Sequence, residues 1–151
     1  MKDHVARWDV AIIGLGPVGA TLANLLGGYG IKTIVLEKNS SAHQLPRAVM
    51  FDDEVMRVFQ SLKMSKIMTD ITEVGGGAKF VDGDGNILVD WRRPRELSPN
   101  GWFVNYRFHQ PELEHTLRDN LNNHQTVEIL WNTEVVALQQ THSGVSVTYS
   151  D

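Results

Sequence analysis

The stretch Asp9-Val-Ala-Ile-Ile-Gly-Leu-Gly-Pro-Val-Gly19 decides the fold, because an apolar run leads directly into glycines at G-x-G-x-x-G spacing. An apolar run that ends at a glycine is typical of a strand buried on both faces, as in parallel sheets. From Pro17 to Leu26 apolar residues recur at helical spacing, and the glycines that follow predict the end of this helix. Thr33-Ile-Val-Leu-Glu37 predicts a second buried strand, so the sequence indicates a parallel strand–helix–strand unit.

Further helices and strands are predicted after this unit. We predict a helix over about 52–62, a hairpin over 79–91, a helix that begins at Pro111, and strands at 127–131, 134–140 and 145–149. The fold class is therefore α/β: a Rossmann-like βαβ unit with a parallel sheet, plus an antiparallel hairpin and meander. The β-rich segment at about 73–107 is predicted to be an insertion in one domain that covers residues 1–151.

Each glycine of the motif has a physical reason for its place. Gly14 permits the tight turn out of the strand, Gly16 lets a pyrophosphate approach the backbone, and Gly19 lets the helix pack against the strand. The N-terminus of the helix offers free N–H groups and partial positive charge to phosphates. The motif in this strand-to-helix context predicts a dinucleotide site.

Glu37 is the second part of the dinucleotide signal, because it ends the second strand 18 residues after Gly19. A carboxylate at that place can accept hydrogen bonds from ribose hydroxyls and would repel a 2′-phosphate. We therefore expect FAD or NAD rather than NADP. The alternative is a glycine-rich turn followed by an exposed glutamate at a strand end.

Two further polar residues are ambiguous on the sequence alone. Arg47 follows Pro46 in the loop after the second strand, where it can reach a pyrophosphate or flavin, or be a solvated cation. Gln110 precedes the helix that Pro111 opens, and capping of that helix is favoured over a bond to ribose or phosphate.

Composition excludes several classes of protein. With 18 acidic and 14 basic residues the formal charge is −4, which gives no support to a nucleic-acid partner. No apolar run approaches the ~20 residues of a membrane span, and no secretory signal is visible, so we expect a cytoplasmic protein. There is no cysteine, and Glu112 and His115 lack a second pair, so no metal site is predicted.

A set of motifs in fixed order carries a family resemblance. They are Gly14-Leu-Gly-Pro-Val-Gly19, Glu37-Lys38, Pro46-Arg-Ala48, Asp52-Asp-Glu54 with Arg57 and Gln60, and Arg107 through Gln110-Pro-Glu-Leu-Glu114. Together they resemble the N-terminal part of the FAD-dependent aromatic monooxygenases of the para-hydroxybenzoate hydroxylase-like group. The resemblance extends from about Trp8 to Tyr149.

The resemblance implies roles for individual residues. The motif glycines, with Pro17 and Val18 between them, would bind the FAD pyrophosphate, and Glu37 with the adjacent Lys38 would lie at the adenosine ribose. Arg47 would contact the cofactor near its pyrophosphate, Gln110 the ribityl or phosphate region of the flavin, and the backbone of Val136 the adenine. The catalytic residues cannot be named from the sequence.

The resemblance also implies an activity for the parent protein. NAD(P)H would reduce the flavin, dioxygen would react with it, and a small phenolic acid such as 3-(3-hydroxyphenyl)propionate would be hydroxylated. The cofactor, rather than a side-chain constellation of this chain, would carry that chemistry.

The family has a second motif containing Asp-Gly and a later Gly-Asp motif, and neither lies in this chain. We therefore expect an N-terminal portion of a longer domain, incomplete at its C-terminal side and inactive alone, with an unpaired strand edge that favours self-association. Two alternatives remain open: a non-catalytic nucleotide-binding module, or the N-terminal part of another flavoenzyme such as an epoxidase or a reductase.

Overall fold

A computed structural model describes residues 7–42 and 47–150. The helices are α1 (Pro17–Gly28), α2 (Asp53–Ser61), α3 (Ser65–Asp70) and α4 (Gln110–Asn120), followed by a 3₁₀ turn at Leu121–Asn123. The strands are β1 (Val10–Ile13), β2 (Thr33–Glu37), β3 (Met50–Phe51), β4 (Thr72–Val74), β5 (Gly77–Val81), β6 (Ile87–Arg92), β7 (Tyr106–Phe108), β8 (Val127–Trp131), β9 (Glu134–Thr141) and β10 (Gly144–Ser150). The predicted α/β class with parallel and antiparallel strands is confirmed.

The chain divides into two compact units, one of residues 1–44 with 114–151 and one of residues 45–113. The first unit contains a three-stranded parallel sheet in the order β1-β2-β8. A right-handed crossover through a helix is the usual way to join parallel neighbours, and α1 makes the connection from β1 to β2. β9 and β10 form a separate antiparallel pair in this unit.

The prediction that β1 is buried on both faces is wrong. β1 lies at one end of the strand order, and Ile13 is 54% exposed while Ile12 is buried. β2, between its two neighbours, has Thr33, Val35, Leu36 and Glu37 buried. Among the described residues β1 thus has a paired strand, β2, on one side only.

Helix α1 is longer than the predicted helix, because Gly27 and Gly28 lie inside it and Gly30, at φ +73°, follows its end. Gly27 is needed for packing rather than for termination. A Cβ there would lie 2.6 Å from Cγ of His124, so only a glycine lets the imidazole approach the helix this closely.

The second unit is built from small antiparallel sheets around aromatic rings. β3, β7 and β4 form one sheet and β5 pairs with β6 in another. Phe51 stacks on Tyr106 at 5.3 Å between ring centroids and meets Phe59 edge-on at 5.4 Å. The helical periodicity predicts an apolar stripe of Phe51, Val55, Val58, Phe59 and Leu62, but α2 buries Met56 and Phe59 and leaves Val55 37% exposed. Packing against the aromatic rings of Phe51 and Tyr106 determines which face of α2 is buried.

Among residues 7–42 and 47–150 no helix is long and apolar enough to cross a bilayer. The same residues contain no group of three or more histidine, aspartate or glutamate side chains placed to hold a metal ion.

Candidate functional site

The glycine loop joins β1 to α1 at the carboxyl end of the parallel strands. Gly14 has φ +92°, a region that L side chains rarely adopt, which explains glycine at the turn. A Cβ at Gly19 would collide with the carbonyl oxygen of Gly14, so α1 packs directly on the loop backbone. Gly16 differs from both, because a Cβ there would meet no atom within 4 Å. Its bare backbone therefore borders open space.

The N-terminus of α1 has no side-chain cap. Gly16 is the N-cap residue and Pro17 occupies the first turn, where its missing N–H costs no helical hydrogen bond. Val18 is 83% exposed in the same turn, although its side chain is apolar. Uncapped N–H groups and the positive end of a 12-residue helix favour an anion in front of this turn.

Glu37 is buried and holds the glycine loop. Its Oε2 accepts the Leu15 N–H at 2.6 Å, and its Oε1 accepts from N and Nδ2 of Asn39 at 2.8 and 2.9 Å. Burial by itself would raise the pKa of Glu37, but these hydrogen bonds and the charge of Arg118 lower the pKa below the usual glutamate range. A carboxylate can accept about four hydrogen bonds, and these three donors use three of them.

Two other predicted site residues lie in the first unit. Lys38 follows Glu37, and its Nζ lies 3.9 Å from Oε1 of Glu134 in an exposed pair. Val136 lies in β9, and its side chain is 61% exposed. Both residues are exposed and lie outside the core.

Arg47 and Gln110 meet in the second unit. Gln110 is buried at the start of α4, and its Oε1 accepts the N–H groups of Arg47 and Ala48 at 2.6 and 2.9 Å. The sequence suggested that Gln110 caps the following helix or touches a cofactor. The structure shows a further task, which is to hold the loop that carries Arg47. Pro46, which precedes that loop segment in the sequence motif, lies outside the described residues.

The comparison with known proteins decides the family. The family described as FAD binding domain matches residues 7–151, which is nearly the whole chain. The chain belongs to this FAD-binding domain family. The resemblance predicted from the motifs is thereby confirmed, and FAD is the cofactor of the family.

Relatives of this FAD-binding domain include named hydroxylases. A protein of Rhodococcus jostii named as a probable NADH-specific resorcinol 4-hydroxylase is 40% identical over 134 residues, covering 87% of this chain and 25% of the relative. A 3-(3-hydroxy-phenyl)propionate/3-hydroxycinnamic acid hydroxylase of Paraburkholderia xenovorans is 36% identical over 143 residues, covering 95% of this chain and 23% of the relative. The chain thus spans about a quarter of the length of these relatives.

Solved structures share the fold of this FAD-binding domain. The flavin-dependent monooxygenase PieE, in complex with FAD and substrate, superposes with a TM-score of 0.77 at 21% identity, over 97% of this chain and 27% of PieE. The p-nitrophenol 4-monooxygenase PnpA of Pseudomonas putida DLL-E4 gives a TM-score of 0.75 at 19% identity, over 93% of this chain and 38% of PnpA. At these identities the likeness establishes the fold alone.

The acidic stretch that supported the resemblance organises the second unit of this domain. Asp52 is the N-cap of α2 and accepts the Val55 N–H at 3.0 Å. Asp53 accepts from Ser98 Oγ at 2.6 Å and from Asn100 Nδ2 at 2.8 Å, and these bonds lower its pKa below the usual aspartate range. The stretch therefore fixes a helix start and the turn at residues 98–101 rather than forming a carboxylate pair for catalysis.

Arg118 has a larger structural role than the sequence alone predicts. The Glu114–Arg118 spacing predicts only an ion pair on a helix flank. In the structure both side chains are nearly buried, at 3% and 11% exposure, and Arg118 donates to the carbonyl oxygen of Leu15 from Nη2 at 2.7 Å and from Nε at 3.1 Å. No sequence signal links residue 118 to the glycine motif, because the contact spans 103 residues.

A separate cavity of about 540 Å³ lies within the second unit, along Gly75-Gly-Gly77. Its charged lining residues are Glu73, Lys79, Asp90, Arg92, Arg95 and Arg107. Arg92 pairs with Asp90 at 2.9 Å, and Arg107 donates to the Gly77 carbonyl oxygen at 2.8 Å. One arginine of the lining is thus paired with a carboxylate and another with a backbone carbonyl.

Proposed function

We propose that this chain is the adenosine- and pyrophosphate-binding portion of an FAD-dependent aromatic hydroxylase. The observation that carries the proposal is the bare backbone of Gly16 at the uncapped N-terminus of α1, with open space where a Cβ would lie. A pyrophosphate needs this close approach to backbone N–H groups and the positive end of a helix. The family membership supplies the cofactor that carries such a pyrophosphate.

In this proposal the residues have the following tasks. The pyrophosphate is held by Gly14, Gly16, Pro17, Val18 and Gly19. Glu37 and Lys38 lie at the adenosine ribose, and Val136 presents its backbone to the adenine. Arg47 contacts the cofactor near its pyrophosphate, and Gln110 contacts the ribityl or phosphate region of the flavin. The remaining acceptor capacity of the Glu37 carboxylate supports its ribose role.

The parent activity is proposed from the relatives, since this chain spans only a quarter of them. Bound flavin supplies the redox chemistry, with NAD(P)H as reductant and dioxygen as oxidant, and a small phenol is hydroxylated. The names of the relatives support resorcinol-like or hydroxyphenylpropionate-like substrates. Residues 1–151 are accordingly proposed to be an N-terminal portion of the cofactor domain, with no hydroxylation by this chain alone.

Three predictions about partners and location remain predictions. They are the cytoplasmic location, the absence of a nucleic-acid partner, and self-association through an open strand edge. The feature that supports self-association is β1, which pairs with β2 on one side and has no strand on its other side among the described residues. Such an edge presents free backbone groups to a second strand.

The test is FAD binding by Gly16→Ala, compared with Gly28→Ala as a matched control. Both new methyl groups would enter open space, and neither glycine has positive φ, so both variants should fold as well as the unchanged chain. A methyl at residue 16 blocks the approach of the pyrophosphate. We therefore expect the FAD dissociation constant, measured by isothermal titration, to rise at least about tenfold.

Gly28→Ala should bind FAD like the unchanged chain, because it lies at the opposite end of α1. Thermal melting of all three proteins checks that the loss at residue 16 is not unfolding. Equal FAD affinity in the three proteins, or no FAD binding by the unchanged chain, contradicts the proposal.

A further inference from the structure

The peptide groups on both sides of Leu15 are held by opposite charges. Its N–H donates to Oε2 of Glu37 at 2.6 Å, and its carbonyl oxygen accepts from Nη2 and Nε of Arg118 at 2.7 and 3.1 Å. The Leu15 side chain is fully buried, although it lies between the first two glycines of the motif. Leu15 is therefore the residue at which buried side chains hold the backbone of the glycine-rich loop.

The Arg118 contact also determines where Gly16 N–H points. A trans peptide directs its C=O and N–H in opposite directions, and the described residues contain no cis peptide bond. The carbonyl that Arg118 binds belongs to the peptide between Leu15 and Gly16. Gly16 N–H is consequently directed away from the guanidinium, which places Arg118 behind the loop and not at its ligand side.

Arg118 is itself held from several directions. Glu114 Oε2 accepts from its Nη2 at 3.2 Å, and its guanidinium lies 5.4 Å from the ring centroid of Trp131, within the range of a cation–π contact. A planar guanidinium can serve a carbonyl, a carboxylate and a ring at once, which an ammonium group cannot do in the same way.

The helix that carries Arg118 is locked to α1 by a buried amide. Asn24 donates from Nδ2 to the Leu117 carbonyl oxygen at 2.8 Å, and its Oδ1 accepts from Nδ2 of Asn120 at 2.8 Å. Leu117 and Leu121 are buried in the same unit. The guanidinium therefore reaches Leu15 from a rigid element that packs on the helix whose N-terminus forms the proposed site.

We propose that Arg118 is a positioning residue of the FAD site, which orients the Leu15–Gly16 peptide so that Gly16 N–H faces the pyrophosphate. The inference rests on the proposed function. Arg118 acts through Leu15 and does not touch the cofactor. Its loss should weaken ligands that carry a pyrophosphate and spare ligands that use only the ribose and adenine positions.

The test uses the full chain with Arg118→Met, which removes the guanidinium, and Arg118→Lys, which keeps the charge. Arg92→Met is the matched control, because it removes an arginine that is 82% exposed and pairs with Asp90 in the second unit. Titration with ADP and with adenosine separates the pyrophosphate from the nucleoside. We expect ADP binding to weaken about tenfold in Arg118→Met and adenosine binding to stay unchanged.

Amide hydrogen exchange without ligand gives a second readout. We expect Leu15, whose N–H is bonded to Glu37, to exchange at least about tenfold faster in Arg118→Met, while Val35 and Leu36 in β2 keep their protection. Arg118→Lys should lie between the unchanged chain and Arg118→Met, and Arg92→Met should match the unchanged chain.

The outcomes separate this inference from the proposed function. Failure of the unchanged chain to bind ADP and FAD overturns the proposed function, and this inference with it. Binding by the unchanged chain, with equal ADP affinity in Arg118→Met or an equal loss for ADP and adenosine, overturns only the role of Arg118. Unfolding of both Arg118 variants by thermal melting also overturns it, since the residue would then support the whole unit.

Discussion

Each of the two units holds one loop with a buried polar side chain, but the two loops are held by different chemistry. In the first unit Leu15 lies between the carboxylate of Glu37 and the guanidinium of Arg118. In the second unit the neutral amide of Gln110 accepts the N–H groups of Arg47 and Ala48. A loop held on its N–H and its C=O needs both an acceptor and a donor, and buried charges fulfil these tasks most strongly.

This difference predicts how much stability each loop loses when one of its partners is removed. A buried ion set loses more than its own bonds when one partner is removed, because the other charge stays buried without compensation. Removal of the neutral amide costs its own hydrogen bonds and little more, because the N–H groups of Arg47 and Ala48 belong to exposed residues that water can reach. The glycine loop should therefore be the more fragile towards complete removal of one charged partner, whereas a change that keeps an acceptor oxygen, such as Glu37→Gln, should cost less.

The largest effect is expected from Gly19→Ala, which breaks the first loop by sterics and leaves both loop-holding side chains in place. The new Cβ would collide with the Gly14 carbonyl oxygen, so the loop or α1 must shift. We expect a loss of roughly 3 kcal/mol in the free energy of unfolding, measured by urea denaturation.

Gly28→Ala is the control for this prediction, because its Cβ would meet open space in the same helix. It should stabilise the chain by about 0.5 kcal/mol through helix propensity. Equal stability of the two variants would show that α1 does not need its close approach to the loop.

A smaller effect is expected from Gln110→Leu, which tests the second loop. The change keeps the shape of the side chain but removes the Oε1 acceptor from the N–H groups of Arg47 and Ala48. Because both residues are exposed, water replaces part of the loss, and we expect about 1.5 kcal/mol in urea denaturation. Gln110→Glu keeps an acceptor oxygen and should lose less; a larger loss there would contradict this account of the loop.

The smallest effect is expected from Glu37→Gln, and it should depend on pH. The variant keeps one acceptor oxygen and loses the charge, which at neutral pH should cost about 1 kcal/mol of unfolding free energy, the difference between charged and neutral hydrogen bonds. The pKa of Glu37 is lowered in the folded state, so its stabilisation is complete above the unfolded-state pKa and is lost as pH falls through the folded-state pKa.

The stability difference between the unchanged chain and Glu37→Gln should consequently shrink from neutral pH into the acid range below the usual glutamate pKa. Urea denaturation at a series of pH values measures it. A difference that is constant across this range would mean that the charge of Glu37 does not stabilise the glycine loop.

Long or strongly patterned elements were predictable from the sequence. The β1–α1–β2 unit, α2, the hairpin of β5 and β6, and β8 follow directly from apolar periodicity and glycine placement. The short strands β3, β4 and β7 and the six-residue helix α3 were missed. Two or three residues contain no period, and these strands exist because β7 pairs with both β3 and β4.

The candidate site also contains some features that the sequence predicts and others that it does not. The tight turn of Gly14 and the packing of Gly19 follow from local rules, since each needs a backbone that only glycine allows. The tasks of Glu37 and Gln110 in holding loops were not foreseen, because a strand-end glutamate and a helix-start glutamine reveal nothing about the backbone opposite them.

The sequence by itself determined the α/β class and the place of the glycine loop, because these depend on short-range periodicity and on conformations that single residues permit or forbid; the family followed from the resemblance of motifs in fixed order. Only the tertiary structure decided that the Leu15 N–H donates to Glu37 and that the Leu15 carbonyl oxygen accepts from Arg118. Both depend on segments far apart in the chain, and a linear pattern carries no information about which distant backbone group a buried charge will meet.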